Sequence, residues 1–269
     1  MLRTFGVLGA GAMGRAIVEG VLRTTSLKAE DILVVDHDPE RRQAMAALGC
    51  VVAESSSAML DATCLLLAVR PQDFAAAAAQ LRSDKCRLAV SVMAGLSADA
   101  IAAALGPSTR VVRTMPNTAA SIGEAVIGMA AGPGATEDDL AIAERLLQGV
   151  GTIVQVDEAQ MHAVTAVSGS GPAYVYLLAE AIEAEARALG LSAEQADVLV
   201  RSMVKGAALL QGGDDRSPGE LRQAVTTPGG TTEAGLEAMQ AGGFVEAVRA
   251  GVRAACRRGE ALATSSPSQ

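Results

Sequence analysis

The stretch RTFGVLGAGAMGRAIVEGVL, Arg3 to Leu22, decides the fold. Phe5, Val7 and Leu8 form a short apolar run, Gly9-Ala10-Gly11-Ala12-Met13-Gly14 follows, and Ile17, Val21 and Leu22 then recur at helical spacing. A strand that enters a helix through G-x-G-x-x-G is built for a pyrophosphate. Gly9 permits the tight turn, Gly11 lets backbone approach the phosphates, and Gly14 lets the helix pack close to the strand. The helix N-terminus then presents free N–H groups and the positive end of its dipole. The motif alone is weak evidence, but a second apolar run, DILVVD, lies where the dinucleotide fingerprint requires it. It ends in Asp36, placed to accept hydrogen bonds from a ribose.

Further along, the alternation continues. PERRQAMAALG reads as a helix, CVVA and TCLLLAV as strands, and PQDFAAAAAQL as a helix opened by Pro71. RLAVSVMAG is a strand, SADAIAAALG a helix capped by Ser97, and TRVVRTMPN and EAVIGMAAG are strands. TEDDLAIAERLLQGV is a helix capped by Thr136, and GTIVQVD is a closing strand. Strands alternating with helices predict a mostly parallel sheet covered on both faces, an α/β Rossmann domain over residues 1–157. In such sheets ligands sit at the C-terminal strand ends. Three strand ends there carry unusual residues: Ala68-Val69-Arg70-Pro71, Met93-Ala94-Gly95 and the MPNT stretch containing Asn117. With the glycine loop they form the expected cofactor contacts.

From Glu158 the pattern is helical only, giving a second domain over residues 158–269. Tyr174, Leu177, Leu178, Ala181, Ile182, Ala188 and Leu189 fall largely on one face. Ser192 with Gln195 and Ser217 with Glu220 form capping boxes. Small residues abound, so helices can approach closely, and such a domain is suited to pairing with a copy of itself. The tail ATSSPSQ reads as disordered.

Composition removes several function classes. The chain has 269 residues, a net charge of −8, no Trp, 3 Phe and 2 Tyr. Phosphate backbones and anionic membranes would be repelled, and stacking on bases has almost no aromatic side chains to use, so neither nucleic acid nor membrane is an expected partner. The start, MLRTFGVLG, enters the strand pattern without a leader segment, which points to a cytoplasmic location. The four cysteines lack C-x-x-C spacing and read as small buried hydrophobes, and no metal site is expected.

The second informative stretch is TTPGGTT, Thr226 to Thr232. Pro228 ends any preceding helix, Gly229 and Gly230 can turn with positive φ and expose consecutive N–H groups, and Thr231 or Thr232 can cap the next helix. This is a nest at a helix N-terminus, suited to a carboxylate, with threonine hydroxyls as uncharged donors.

AVTAVSGSGPAYVYLLAEA (Ala163 to Ala181) and SPGELRQAVTTPGGTTEAG (Ser217 to Gly235), with AVRP, MAG and MPNT, make the chain resemble the pyrroline-5-carboxylate reductases. The resemblance spans nearly the whole chain. It implies a Rossmann domain followed by a helical domain that forms homodimers or larger homo-oligomers, and reduction of pyrroline-5-carboxylate to L-proline by NADPH or NADH. It also implies that Thr227, Gly229, Gly230, Thr231 and Thr232 hold the substrate carboxylate, that Thr232 lies near the ring nitrogen, and that Glu158 approaches the substrate. Arg70 stands where the family usually has lysine, Thr227 where it has serine, and Arg222-Gln223 where Lys-Asp is common. Asp36 stands where many NADPH-using relatives carry a neutral residue, which alone would favour NADH, but Arg41, Arg42 and a protonated His37 of DHDPERR can meet a 2′-phosphate, so both cofactors are expected to be used, with NADH used better than in relatives lacking this acid. Two other readings stay open at this stage. One is a β-hydroxyacid dehydrogenase type of reductase using Lys205, the single lysine of the helical half. The other is a non-catalytic NAD(P) sensor.

Overall fold

The structure, a computed structural model, describes residues 5–264. Residues 1–4, where the reading of a leaderless start falls, and tail residues 265–269 lie outside the described residues. The described residues fall into two compact units, 5–170 with 254–264, and Gly171–Arg253.

In the first unit eight strands form one sheet of order β3-β2-β1-β4-β5-β6-β7-β8. They are β1 Phe5–Leu8, β2 Ile32–Val35, β3 Val51–Ala53, β4 Cys64–Leu67, β5 Arg87–Ser91, β6 Thr109–Met115, β7 Ala125–Ala131 and β8 Gly151–Gln155. All pairings are parallel except β6 with β7. Every residue of β1 and of β4 is buried, as central parallel strands covered on both faces must be. Helices α1 Ala12–Thr24 and α5 Glu137–Leu147 bring Ile17, Val21 and Leu147 to one side of the sheet. Helices α3 Pro71–Leu81 and α4 Ala98–Leu105 bring Phe74, Ala78, Leu81 and Ile101 to the other. Helix α2, Pro39–Ala47, begins at Asp38, whose carboxylate accepts from the Glu40 amide at 2.9 Å. The strand order reverses where β1 lies between β2 and β4. That switch point opens a crevice beyond the C-terminal strand ends.

Helix ends follow their local chemistry. Thr136 and Asp139 form a capping box at α5, and Ser97 accepts from the Ala100 amide at 3.2 Å at α4. Asp139, 2% exposed, also takes a two-pronged pair from Arg110 of β6 at 2.8 and 2.9 Å, which ties α5 to the sheet. After β8 come a short helix, α6 Met161–Val164, and a wide π turn, Thr165–Gly169.

The second unit contains α7 Gly171–Ala188, α8 Ala193–Gly212, α9 Pro218–Ala224, α10 Thr231–Ala241 and most of α11 Phe244–Thr264. Both expected capping boxes, Ser192 with Gln195 and Ser217 with Glu220, are formed. Its buried residues among those described are Ala196 and Val200 alone, while Tyr176, Leu177, Leu199, Met203, Leu210 and Phe244 are exposed. Apolar side chains of this size gain about 1.5–3 kcal/mol each from burial, so this unit carries an apolar face without a core to receive it. Two expectations need correction. Cys50 and Cys64 are buried, but Cys86, in the loop before β5, is exposed, and Cys256, on the final helix, is only partly covered. The final helix runs through Ala263 to Thr264, into the tail that read as disordered.

Candidate active site

The crevice at the switch point is a cavity of about 660 Å³, within the range of small-ligand sites. Gly9, Gly11, Asp36, Ala68, Val69 and Arg70 line it, so three of the segments singled out from sequence meet there. Gly9 has φ +100°, and a Cβ there would lie 2.7 Å from the Ala68 carbonyl carbon and oxygen. A Cβ on Gly14 would fall onto the carbonyl oxygen of Gly9. A Cβ on Gly11 would meet nothing nearer than Arg41 Nη1 at 3.9 Å. Gly9 and Gly14 are thus demanded by packing, and Gly11 by the open approach to the cavity. Gly11 is also the N-cap of α1, with no side-chain cap and no acid in the first turn. The first amides of α1 are left for an external anion. The loop therefore fits the pyrophosphate of a dinucleotide. Ala12 is exposed and Met13 packs partly against the core.

Asp36 lines the cavity but turns its carboxylate inward. Oδ2 accepts from the Ala10 amide at 2.7 Å and Oδ1 from the Asp38 amide at 2.9 Å, and the side chain is 3% exposed. Arg41 Nη1 lies 3.6 Å from Oδ2. His37 and Arg41 line the same cavity and are more exposed than Asp36. Arg70 pairs with Asp73 at 2.7 Å on the opposite wall, with Pro71 opening α3 behind it.

The other strand-end residues lie elsewhere. Met93-Ala94-Gly95 does not line this cavity: the Met93 side chain is in the core, and Gly95, at φ +76°, approaches Leu262 of α11. Asn117 Oδ1 accepts from the Ala119 amide at 3.2 Å, and its Nδ2 donates to the Ser168 carbonyl in the π turn at 3.2 Å. Glu158 is engaged at the C-terminal end of the sheet. Its Oε1 accepts from Arg113 Nη1 at 2.9 Å and from the Ala98 amide at 3.2 Å, and its Oε2 is buried with no hydrogen-bond partner among the described residues. Arg113, 2% exposed, was not singled out from sequence. An arginine inside the apolar run TRVVRTMPN was the available signal.

In the second unit Thr227 to Thr232 form one tight turn into α10. Gly229 has φ +70°, whereas Gly230, at φ −87°, does not need the left-handed region. Gly230 is required for a different reason: a Cβ there would lie 2.9 Å from the Thr227 carbonyl oxygen and closer still to its hydroxyl. The N-cap is Gly230, not a threonine, and it has no side-chain cap. Thr231 and Thr232 are instead the first two helical residues, both exposed. The first amide to find a carbonyl within the helix is Ala234, bonded to Gly230 at 3.2 Å. The helix itself thus supplies no acceptor for the amides of Thr231, Thr232 and Glu233. Lys205 lies exposed on α8.

A glycine loop at a parallel-sheet switch point, followed by a helical unit, defines a nucleotide-dependent oxidoreductase of the Rossmann type. Residues 4–95 match the family described as NADP oxidoreductase, coenzyme F420-dependent, and residues 158–262 match pyrroline-5-carboxylate reductase dimerisation. Pyrroline-5-carboxylate reductase 2 of Bacillus subtilis is 35% identical over 255 residues, covering 92% of this chain and 90% of the relative. A pyrroline-5-carboxylate reductase from Coxiella burnetii superposes with a TM-score of 0.89 at 30% identity, covering 97% of this chain and 99% of the other. The Plasmodium falciparum pyrroline carboxylate reductase, solved with NADP bound, does so with 0.84 at 25%, covering 97% and 98%. The chain belongs to the pyrroline-5-carboxylate reductase family. Its N-terminal domain is NADP-binding, and the match to a dimerisation domain implies a homo-oligomer.

Proposed function

We propose that this chain reduces the C=N bond of pyrroline-5-carboxylate to give L-proline, with the glycine-loop crevice holding the cofactor and the Thr227–Thr232 turn holding the substrate carboxylate. A bound NADPH or NADH supplies the hydride for the imine carbon, while one proton is taken up at nitrogen. The chain's task is to bind, orient and polarise. Gly9 to Gly14 and the first turn of α1 would hold the pyrophosphate, with Ala68 to Arg70 as the facing wall. Met93 to Gly95, Asn117 and Pro71 enter as supports of the neighbouring strand ends.

The observation that carries the substrate assignment is the turn itself. It has an open first turn of helix, a left-handed glycine, and threonine hydroxyls not spent on capping. Uncharged donors hold a carboxylate without adding a cation that would oppose a protonated imine nitrogen. Glu158 enters through Oε2, the oxygen of that carboxylate without a partner among the described residues. Its charge is shared with Arg113 at 2.9 Å, so what it offers an imine N–H is a hydrogen-bond acceptor at Oε2. Thr232 is the candidate hydroxyl at the ring nitrogen.

For the cofactor, Asp36 spends its oxygens on two backbone amides and has Arg41 beside it, so its charge is largely met before a 2′-phosphate arrives. Arg41 is the group suited to fork onto that phosphate. The proposal is use of both NADPH and NADH, with residues 158–269 as the helical, subunit-pairing part and the cytoplasm as the site of action. No helix among the described residues is long and apolar enough to cross a membrane. Oxidation of NADPH driven by pyrroline-5-carboxylate, with proline formed in equal amount, tests the reading.

A further inference from the structure

We propose that Glu233 is a built-in competitor of the substrate carboxylate, and that it sets both the KM for that substrate and the rejection of stray small anions. The proposal rests on the reading that the Thr227–Thr232 turn holds the substrate carboxylate.

Gly229 stands at φ +70° and its amide donates to Glu233 Oε2 at 2.7 Å. A carboxylate therefore already sits on one of the donors that the turn offers, the Gly229 amide. Glu233 is the third residue of α10, the position from which an acid reaches back over a helix start. The reciprocal half of a capping box is missing here, because the N-cap is Gly230 and has no hydroxyl to return the bond. This differs from α8 and α9, where a serine and its acid or amide partner lock each other. Glu233 is thus held at the turn by one charge-assisted bond, strong enough to occupy it and weak enough to be displaced.

One N–H makes one full hydrogen bond, and two carboxylates at contact distance repel. A ligand carboxylate that takes the Gly229 amide must therefore displace Glu233. An acetate ion, with nothing else to hold it, competes poorly against a tethered carboxylate. A cyclic imine acid makes further contacts and competes well. Glu233 in this way weakens acetate and the acid substrate by the same factor, so that only a ligand with further contacts still binds at low concentration.

The test uses the full-length protein and its variants Glu233→Ala and Glu233→Gln. KM is measured for pyrroline-5-carboxylate and for 1-pyrroline, which lacks the carboxylate, and the inhibition constant of acetate is measured against the acid substrate. In Glu233→Ala the KM for pyrroline-5-carboxylate and the acetate constant should each fall about fivefold, the factor of one exposed capping interaction. The KM for 1-pyrroline should move by less than about twofold, since that substrate does not compete for the amide. Glu233→Gln, which keeps the reach and loses the charge, should fall between. If both variants leave the acid-substrate KM and the acetate constant unchanged, or raise them, Glu233 is a helix cap only and the proposal is overturned. If the wild-type protein uses the two imines with equal kcat/KM and acetate does not compete, the carboxylate assignment of the turn itself is wrong, and the competitor falls with it.

Discussion

Asp36 and Ala10 are joined across the head of the crevice: the Ala10 amide donates to Asp36 Oδ2 at 2.7 Å, tying the end of β2 to the middle of the glycine loop. A second amide, Asp38, holds the other oxygen at 2.9 Å. The acid that the dinucleotide fingerprint assigns to the ribose is here also a brace for the loop that meets the phosphates. Its neighbour Arg41, not Asp36, presents the larger surface to the cavity.

Cofactor choice should therefore follow Arg41. Arg41→Ala is expected to shift the kcat/KM ratio away from NADPH by about tenfold, one charge-assisted contact to a phosphate. Asp36→Asn is expected to weaken both cofactors by similar factors, because it loosens the loop. Steady-state kinetics with each nucleotide decide this. A ratio unmoved in Arg41→Ala but moved toward NADPH in Asp36→Asn would make Asp36 the discriminating charge.

Thr232→Ala isolates binding from folding. Thr232 is an exposed first-turn residue and Gly230 holds the cap position, so the melting temperature should stay within a degree or two of wild type, whereas kcat/KM for pyrroline-5-carboxylate should fall about tenfold, roughly 1–3 kcal/mol of lost hydrogen bonding. A fall in Tm without a loss of kcat/KM would remove Thr232 from the site.

Acid stability should report the Arg110–Asp139 pair. Burial pushes the Asp139 carboxyl up, but hydrogen bonds from Arg110 and Thr136 outweigh it and hold it below the usual 3.8. A carboxylate depressed on folding contributes stability that is fully present above 3.8 and is lost as pH falls through the depressed value. Asp139→Asn should lower stability at neutral pH by about 3 kcal/mol, since it leaves Arg110 without its partner charge. It should also flatten the fall in stability below about pH 4. Denaturant titrations at pH 7 and at pH 3 check both parts. Equal acid sensitivity in the variant would assign that sensitivity to other carboxylates.

How much of this could be read from residues alone follows their range of interaction. The strands and helices of the first unit came from period and caps, which are local, and α3 has the expected bounds because Pro71 opens it and the apolar spacing of Phe74, Ala78 and Leu81 carries it to its end. The switch-point crevice followed from the glycine spacing. What escaped is tertiary. The direction of the Asp36 carboxylate depends on a loop amide 26 residues away. The Arg113–Glu158 pair joins residues 45 apart. The π turn at Thr165–Gly169 contains Thr165 and Ser168, whose hydroxyls donate back to the Met161 and Val164 carbonyls, a competition inside a helix that periodicity does not show. At the TTPGGTT turn the residue types pointed to a nest, but the choice of N-cap rested on how closely Thr227 sits over Gly230.

Assembly should depend on the second unit, whose apolar side chains stand largely exposed in the single chain. Light scattering at micromolar concentration should give a dimer or a multiple of it. A fully active monomer would contradict the subunit-pairing role of residues 158–269.

The most direct measurement is the reaction itself. Purified full-length protein is mixed with NADPH and pyrroline-5-carboxylate, absorbance at the reduced nicotinamide band is followed, and proline is quantified at the end. The expected result is steady, saturable oxidation with one proline formed per NADPH consumed, and the same stoichiometry when NADH replaces it. Binding of NADPH without turnover of this imine, or turnover without proline, would contradict the account.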